Sequence, residues 1–408
     1  MPVYIFLTNS ICFIGGGQKY IENKVKRLKQ AGYQTVVIST VEGKIYLDSL
    51  KCFKKTIIPE TRFHPYNFPE KSINDIIRLI KRNIPNTNEE ILIESNSITL
   101  AEWGDLLARE INAKHICIIL QEKIKESDLS LDFINFKVKR KEFYVINKEI
   151  INKLKLTNPI DYDCIIIAEC TTNAIEDIPE DISHLIPKGC YNIGSISRLD
   201  KPFLQKAIKD LLEYISLHED KRFNLILIGD GSIKTKRMIK KYANANHNLN
   251  IMITGYLCPI PLKLINNINC FLSSAGAAYV TANIDIPTIS FSPTGDPLGI
   301  VNYTTSEVLY DKSSIKHSLE YYLDKILYEN FCQKTNMMMK SNTSIDFESE
   351  FKRQLSLFHD HVKEFYDFRK AIKKYKNTLS PYIYIFVKLF GTKFFIFVYN
   401  LLYKSRIR

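Results

Sequence analysis

Short apolar runs alternate along this chain with longer segments whose apolar residues recur at three- and four-residue intervals. Val3–Leu7 is a continuous apolar run, suited to a strand buried on both faces. The turn Thr8–Gly17 follows and contains Gly15-Gly16-Gly17. Gln18–Ala31 then places Tyr20, Ile21, Val25, Leu28 and Ala31 at helical spacing, closed by Gly32. Thr35–Ile38 reads as the next strand. Strand, glycine loop, helix and strand in this order predict a β-α-β start.

The rhythm persists downstream. Ile73–Ile84, Leu100–Ile111 and Ile146–Leu154 read as helices, and Ile91–Ile93, His115–Leu120 and Cys164–Ala168 as strands. Asp177–Gly189 is polar and carries Pro179, Pro187 and Gly189, so it is expected to link two domains. A second series has strands at Cys190–Ile196, Leu225–Ile228, Ile251–Thr254, Cys270–Ser273 and Thr288–Phe291. Strands alternating with helices predict largely parallel sheets. The expected class is α/β: Rossmann-like domains at residues 1–186 and 187–345, a return helix at 346–376 and a tail at 377–408. Phe347–Lys376 predicts one long helix, broken by Pro381. Tyr382–Tyr403 holds nine aromatic residues interrupted by Lys388 and Lys393. Its length would cross a bilayer, but two lysines and Gly391 make a full span costly. An interfacial helix is expected, with packing on the protein or on a partner as the alternative.

Composition sharpens this picture. A length of 408 residues suits two domains. The nine cysteines are scattered without a C-x-x-C pair, as expected for reduced, mostly buried thiols in a cytosolic protein. The N-terminal apolar run lacks a basic start and a cleavage site, so it reads as strand one, not a secretion signal. The net charge of +12 is not gathered in a single patch, which argues against nucleic acid as the partner. Much of it lies near the C-terminus, at Arg369, Lys370, Lys373, Lys374, Lys376, Lys388, Lys393, Lys404, Arg406 and Arg408. Cations beside aromatic residues suit an anionic membrane surface, and a solvated helix face is the plain alternative. The expected location is cytoplasmic, peripheral on the inner face of the cell membrane.

Candidate chemistry centres on Asn192–Gly231. A strand there ends in Arg198 and Lys201, and a second ends in Gly229-Asp230-Gly231. Ligands of open α/β sheets sit at such strand ends. Glycines let backbone approach a phosphate, arginine binds it bidentately, and lysine acts as a point charge. Gly16 and Gly17, directly ahead of a helix, read as an anion or sugar loop. Ser274, Gly276 and Thr294 lie in turns after later strands and read as ligand-loop positions. Glu94 and Glu122 each follow an apolar strand of the first domain. Either carboxylate is a candidate for binding acceptor hydroxyls or for general-base work; the alternative is an acid stabilising a helix N-terminus. His115 is expected to be structural. Neither metal nor cofactor is expected.

Taken together, these segments resemble a GT-B glycosyltransferase over roughly residues 1–345. The closest similarity is to the large retaining nucleotide-sugar family of bacterial capsule and exopolysaccharide biosynthesis. I-G-G-G-Q-K-Y, with K-x-L-K-x-x-G-Y and V-V-I-S behind it, resembles that family's entry loop, helix and second strand. I-G-S-I-S-R-L-D-K resembles the segment whose arginine and lysine neutralise the donor diphosphate, which implies that role for Arg198 and Lys201. The family's lysine sits farther from the arginine than Lys201 does from Arg198. L-I-L-I-G-D-G-S matches the family's strand and glycine turn, and I-M-I-T-G-Y-L resembles the segment that contacts the nucleotide base, around Gly255-Tyr256. The family's paired glutamates are absent: between Asp220 and Ser306 the only acids are Asp220, Asp230, Asp285 and Asp296. The resemblance implies a hexosyltransferase that moves a sugar from a nucleotide-sugar donor to a saccharide or lipid-linked acceptor. A nucleotide-sugar epimerase of the same fold and an inactive glycan- or partner-binding protein are the alternatives.

Overall fold

The computed structural model describes residues 1–121, 128–157, 159–170, 174–179, 182–309, 317–335, 346–359, 364–368 and 380–407. The chain divides into two compact units. Unit 1 is Met1–Cys170 with Ile345–Ser405, and unit 2 is Thr171–Ser344 with Arg406–Arg408. The division falls at Cys170, ahead of the Asp177–Gly189 segment expected to link the domains.

Unit 1 is built from β1 (Val3–Thr8), α1 (Gly16–Gln30), β2 (Gln34–Ser39), α2 (Glu70–Lys81), β3 (Ile91–Ser95), α3 (Ile98–Ile111), β4 (Lys114–Ile119), α4 (Asp128–Lys139), β5 (Phe143–Val145) and α5 (Lys148–Asn152). Its five strands run parallel in the order β2-β1-β3-β4-β5. A parallel sheet needs a crossover between each pair of strands, which covers both faces. β1 shows the consequence. Val3, Ile5 and Leu7 enter one core, and Tyr4 and Phe6 enter the other.

Unit 2 contains β6 (Ile175–Glu176), β7 (Tyr191–Ile196), α6 (Pro202–Leu217), β8 (Phe223–Ile228), α7 (Ile233–Ala245), β9 (Leu249–Gly255), β10 (Ile260–Pro261), α8 (Leu262–Ile265), β11 (Cys270–Ser273), α9 (Gly276–Ala282), β12 (Thr288–Phe291), β13 (Pro297–Ile300), α10 (Leu319–Leu327) and α11 (Phe331–Lys334). Its main sheet has the order β13-β12-β11-β7-β8-β9 and is parallel except for β13. β6 and β10 form a separate two-stranded ribbon. In both units the order in which strands are added reverses beside the first strand, between β1 and β3 and between β7 and β11. At such a switch point the two flanking crossovers lie on opposite faces and leave a crevice at the strand C-termini.

The chain returns to unit 1 through α12 (Phe347–Ser356) and, farther on, α13 (Ser380–Phe390) and α14 (Thr392–Ile407). The expected long helix over Phe347–Lys376 ends after its first segment; 360–363 and 369–376 lie outside the described residues. The aromatic tail is a pair of helices, not one, because Gly391 between them adopts φ +81. Val387 and Ile396 are buried against unit 1, and Phe395 packs on Phe63 and Phe68. No helix among the described residues is long and apolar enough to cross a membrane.

Three further expectations change. β5 adds a short strand that the sequence pattern did not reveal. Cys164–Ala168 is not a ladder strand and keeps only a bridge from Ile165 to Val145. Side chains of α12 take up its backbone groups instead: Arg353 donates to the Ile165 carbonyl, Gln354 donates to that of Ile167, and Glu350 accepts from the Ile167 amide. The turn that carries Thr294, expected as a ligand loop, runs into β13 because Pro297–Ile300 pairs antiparallel with β12.

Unit 1 also encloses charge. Lys137 sits 2.6 Å from Asp105 and 2.8 Å from Glu142, with Lys137 and Asp105 each 1% exposed. The Asp105 carboxylate accepts from the Tyr366 amide as well, which ties the returning chain to this cluster. Nearby, His115 is fully buried, with Nε2 at 3.0 Å from Ser95 Oγ. Burial works to raise the Asp105 pKa, but Lys137 and His115 outweigh it and hold the group at about 2. Burial, reinforced by Lys137, pushes His115 down to about 4. An unfolded histidine titrates near 6.5, so the unfolded chain gains a proton that the native state refuses until about pH 4. Stability therefore declines as pH falls from about 6.5 toward 4, by about 1–2 kcal/mol at pH 5. Asp105 keeps its contribution throughout that window. Thermal unfolding of the wild type should shift downward between pH 7 and 5, and His115→Gln should flatten that dependence.

Candidate functional site

The C-terminal ends of β7, β8 and β9 are stitched into one surface. The Ser197 amide donates to the Ile228 carbonyl and the Leu199 amide to the Asp230 carbonyl. Gly229 bridges Gly255 across the next strand. The stitching is too tight for side chains. A Cβ on Gly229, whose φ is +154, would lie 1.9 Å from the Ser197 carbonyl oxygen. One on Gly231 would lie 2.8 Å from Leu199 Cβ. Gly255 has φ +76 and open space beyond it. The glycines thus serve the packing of neighbouring turns and bare the backbone at the strand ends.

Arg198 stands on this surface directly after β7, beside the switch point. Its side chain is 52% exposed, and its nearest acid, Asp200, is 3.5 Å away and similarly exposed. Such a loose surface pair is worth little, so the guanidinium can exchange it for a phosphate. Lys201 is the N-cap residue of α6, and its amide donates to the Arg198 carbonyl at 3.2 Å. Asp230 is turned away from ligand duty: its carboxylate accepts from the Gly231 amide and pairs with Lys236 at 2.8 Å. Tyr256 follows Gly255 at the end of β9 and is half-buried.

On the other side of the switch point, Ser274 donates its hydroxyl to the Phe291 carbonyl at 2.8 Å. Gly276 opens α9 with free space where a Cβ would be. Thr294 is engaged in its own turn: its hydroxyl lies 2.8 Å from both Ser292 Oγ and the Asp296 carboxylate, which also holds Lys206 at 2.6 Å. Arg198, Lys201, Gly229, Gly231, Gly255, Tyr256, Ser274, Gly276 and Thr294 therefore lie along one edge of one sheet.

Pattern reading missed a hollow beside this edge. It is about 590 Å³ and open, between α7 and the outer strand β9. Lys236, Arg237 and Lys240 stand over a floor of Ile251 and Ile253, while Asp230, Thr254 and Gly255 join the hollow to the glycine turns. The signal was present in the spacing of Lys236 and Lys240, one helical turn apart with Arg237 between.

In unit 1, Gly16 and Gly17 are the first two residues of α1, on the stretch that follows β1. Glu94 is a correction. It is fully buried, ion-paired to Lys24, hydrogen-bonded by Tyr4 at 2.6 Å and by Asn96 at 2.7 Å. Lys24 also donates to Gln354 of α12 at 2.8 Å. The alternating pattern of β3 turns Glu94 toward α1, not toward the strand-end crevice, so this acid fastens helices to the sheet. Glu122 lies outside the described residues.

No protein-family model matches the chain, and no curated protein matches it in sequence. Solved structures do. A glycosyltransferase from Rickettsia africae ESF-5 superposes with a TM-score of 0.56 at 16% identity, over 93% of this chain and 98% of that one. Anabaena HepE, solved in complex with UDP-glucose, gives 0.55 at 14% identity, over 93% and 99% of the two chains. The chain has the GT-B fold.

The roles assigned to Glu94 carry a direct test. Glu94→Gln leaves Lys24 buried without its counter-charge and should cost about 3–5 kcal/mol in urea unfolding. Nucleotide affinity of the remaining folded protein should be unchanged.

Proposed function

We propose that the chain is a hexosyltransferase that moves a sugar from a nucleotide-diphosphate sugar to a saccharide or lipid-linked acceptor in surface polysaccharide biosynthesis. One observation carries this reading. A half-exposed Arg198, loosely held by Asp200, stands among bared glycine turns at the switch point of unit 2. In this reading Arg198, with Lys201, stabilises negative charge as it builds on the departing diphosphate. Gly229, Gly231 and Gly276 admit the phosphates by close backbone approach, and Gly255-Tyr256 lies where the base is held. Lys236, Arg237 and Lys240 add positive potential that steers an anionic donor to the same edge. The likeness in fold to a protein solved with UDP-glucose supports a nucleotide sugar as donor.

Thermal-shift measurements with UDP, GDP and ADP test this directly. At least one should stabilise the protein, and Arg198→Ala should weaken it by at least about tenfold, the loss of one charge-assisted phosphate contact. Stabilisation by none of them would sink the reading.

The same proposal places the enzyme on the inner membrane face. The buried side of the α13–α14 pair packs on unit 1, while its other side presents Tyr382, Ile385, Leu389, Phe390, Phe397, Leu401 and Leu402, each more than half exposed. Lys388 and Lys393 are exposed beside them, and Arg62 lies over the Tyr399 ring. A large apolar patch edged by cations suits insertion into the headgroup layer of an anionic bilayer. It also favours a transferase with an amphiphilic acceptor over the epimerase alternative. The triple variant Leu389→Ser, Phe390→Ser, Phe397→Ser should abolish co-sedimentation with phosphatidylglycerol vesicles. Its thermal midpoint should stay near wild type, because these side chains are 70%, 58% and 58% exposed.

A further inference from the structure

Helix α7 of unit 2 carries its charge against the ordinary preferences of a helix. Its 13 residues hold Lys234, Lys236, Arg237, Lys240 and Lys241 and no acid. Lys234 and Lys236 occupy the first turn, where the helix dipole favours anions. Lys236 with Lys240, and Arg237 with Lys241, are like-charge pairs one turn apart, and each weakens the helix. Lys236 finds one acid, Asp230 at 2.8 Å, and the two side chains stay 36% and 31% exposed. Among the described residues the other four cations of α7 form no ion pair. A single loose pair offsets little of this repulsion. Local preferences broken without a structural return are characteristic of a functional surface.

The surface beside these cations has the shape of a site. Lys236, Arg237 and Lys240 border the hollow of about 590 Å³ against β9. β9 is the outer strand of its sheet, so no further strand shields that side. Its Ile251 and Ile253 are only partly covered by the unit 2 core, and they floor the hollow. Ile233, 53% exposed, lines it from α7. Nearer the glycine turns, the Thr254 hydroxyl donates to the Gly255 carbonyl at 2.9 Å, which leaves its oxygen able to accept from a ligand. Steering a donor needs positive potential alone. It needs neither a recess nor an apolar floor.

Cations around an aliphatic floor select among anions. A bilayer surface is broad and meets protruding groups, not a recess beside a helix. Single-stranded nucleic acid is held by aromatic stacking, and among the described residues no aromatic side chain lines the hollow. An acidic sugar matches every part of it. The C–H face of the ring suits the isoleucines, its hydroxyls suit Thr254, and its anionic group suits Arg237 and Lys240. The cations recur at one helical turn, about 5.4 Å, which is close to the length of one sugar residue in a chain.

We propose that the hollow binds an acidic glycan, with carboxylate or phosphate groups on successive sugars, which in the transferase reading above is the acceptor chain. Arg237 and Lys240 pair with its anionic groups. Thr254 and Gly255 connect the hollow to the glycine turns, so the chain is led toward the donor edge of the same unit. The role of the glycan as acceptor rests on the transferase reading; its binding does not.

The test uses the full-length protein and three fluorescently labelled probes of equal length: an oligogalacturonate, a phosphorylated maltooligosaccharide and the neutral maltooligosaccharide. At least one acidic probe should bind and the neutral one should not, and the tighter acidic probe identifies the anion. Arg237→Gln with Lys240→Gln should weaken that binding about 100-fold, roughly tenfold for each charge-assisted contact. Lys234→Gln with Lys241→Gln removes the same charge outside the hollow and should cost less than about threefold, because exposed charges farther off are screened. Both double variants should melt no lower than the wild type, since each relieves repulsion within α7. Equal losses in the two double variants would reduce the binding to net charge and overturn the proposal. So would binding of neither acidic probe or equal binding of the neutral one. Tighter binding of oligouridylate or phosphatidylglycerol vesicles that depends on Arg237 and Lys240 would overturn it as well. Glycan binding lost in the Arg237 and Lys240 variant, with no nucleotide stabilising the wild type, would keep the site and sink the transferase reading alone.

Discussion

Everything in this protein follows from the demand that parallel strands place on the chain. Parallel neighbours cannot be joined by a tight turn, so each pair needs a crossover, and each crossover covers a sheet face. Two results come together. Central strands are buried on both sides, as Val3–Thr8 and Phe223–Ile228 show. The C-termini of the parallel strands of a sheet then lie on one edge. Residues far apart in sequence, such as Arg198, Gly229, Gly255 and Ser274, become neighbours along that edge without any dedicated framework. The glycines among them are needed first for packing: Gly229 must pass the Ser197 carbonyl, and only a residue without Cβ can do so.

Charge is sorted by the same geometry. Acids and bases whose side chains project from the middle of a strand or helix into a core are paired and enclosed, as Lys24 with Glu94 and Lys137 with Asp105 and Glu142. Their desolvation is offset only by the partner, so they hold elements in register and are closed to substrate. Charges at strand ends and on outer helix faces stay wet and loosely paired. Arg198 belongs to that group. The difference between Glu94 and Arg198 is thus one of position relative to the sheet edge, not of residue type.

The tail shows how far an apolar pattern can be read. Its aromatic residues with two lysines predicted a helix for an interface, and half of that is met by the protein itself. Val387, Phe395 and Ile396 pack on unit 1, while Leu389, Phe390 and Phe397 face outward. Periodicity marks a residue as apolar but does not say which of two surfaces will cover it. Gly391, with φ +81, turns one amphipathic stretch into two helices and creates both faces at once.

By itself the sequence determined the α/β class and most of the strands, because burial on both faces writes a continuous apolar run that needs no context. It also marked the glycine turns and Arg198, since turn residues and strand ends are local features. Tertiary structure alone decided what Glu94 does, because its neighbours Lys24, Tyr4 and Asn96 come from three separate segments. It alone decided that Cys164–Ala168 is served by α12 side chains and not by a strand. It alone paired His64 with Glu102, which stand 38 residues apart and give no spacing signal to either helix or strand. Local chemistry is written in the chain; which distant group completes it is settled only when crossovers and helix ends bring the segments together.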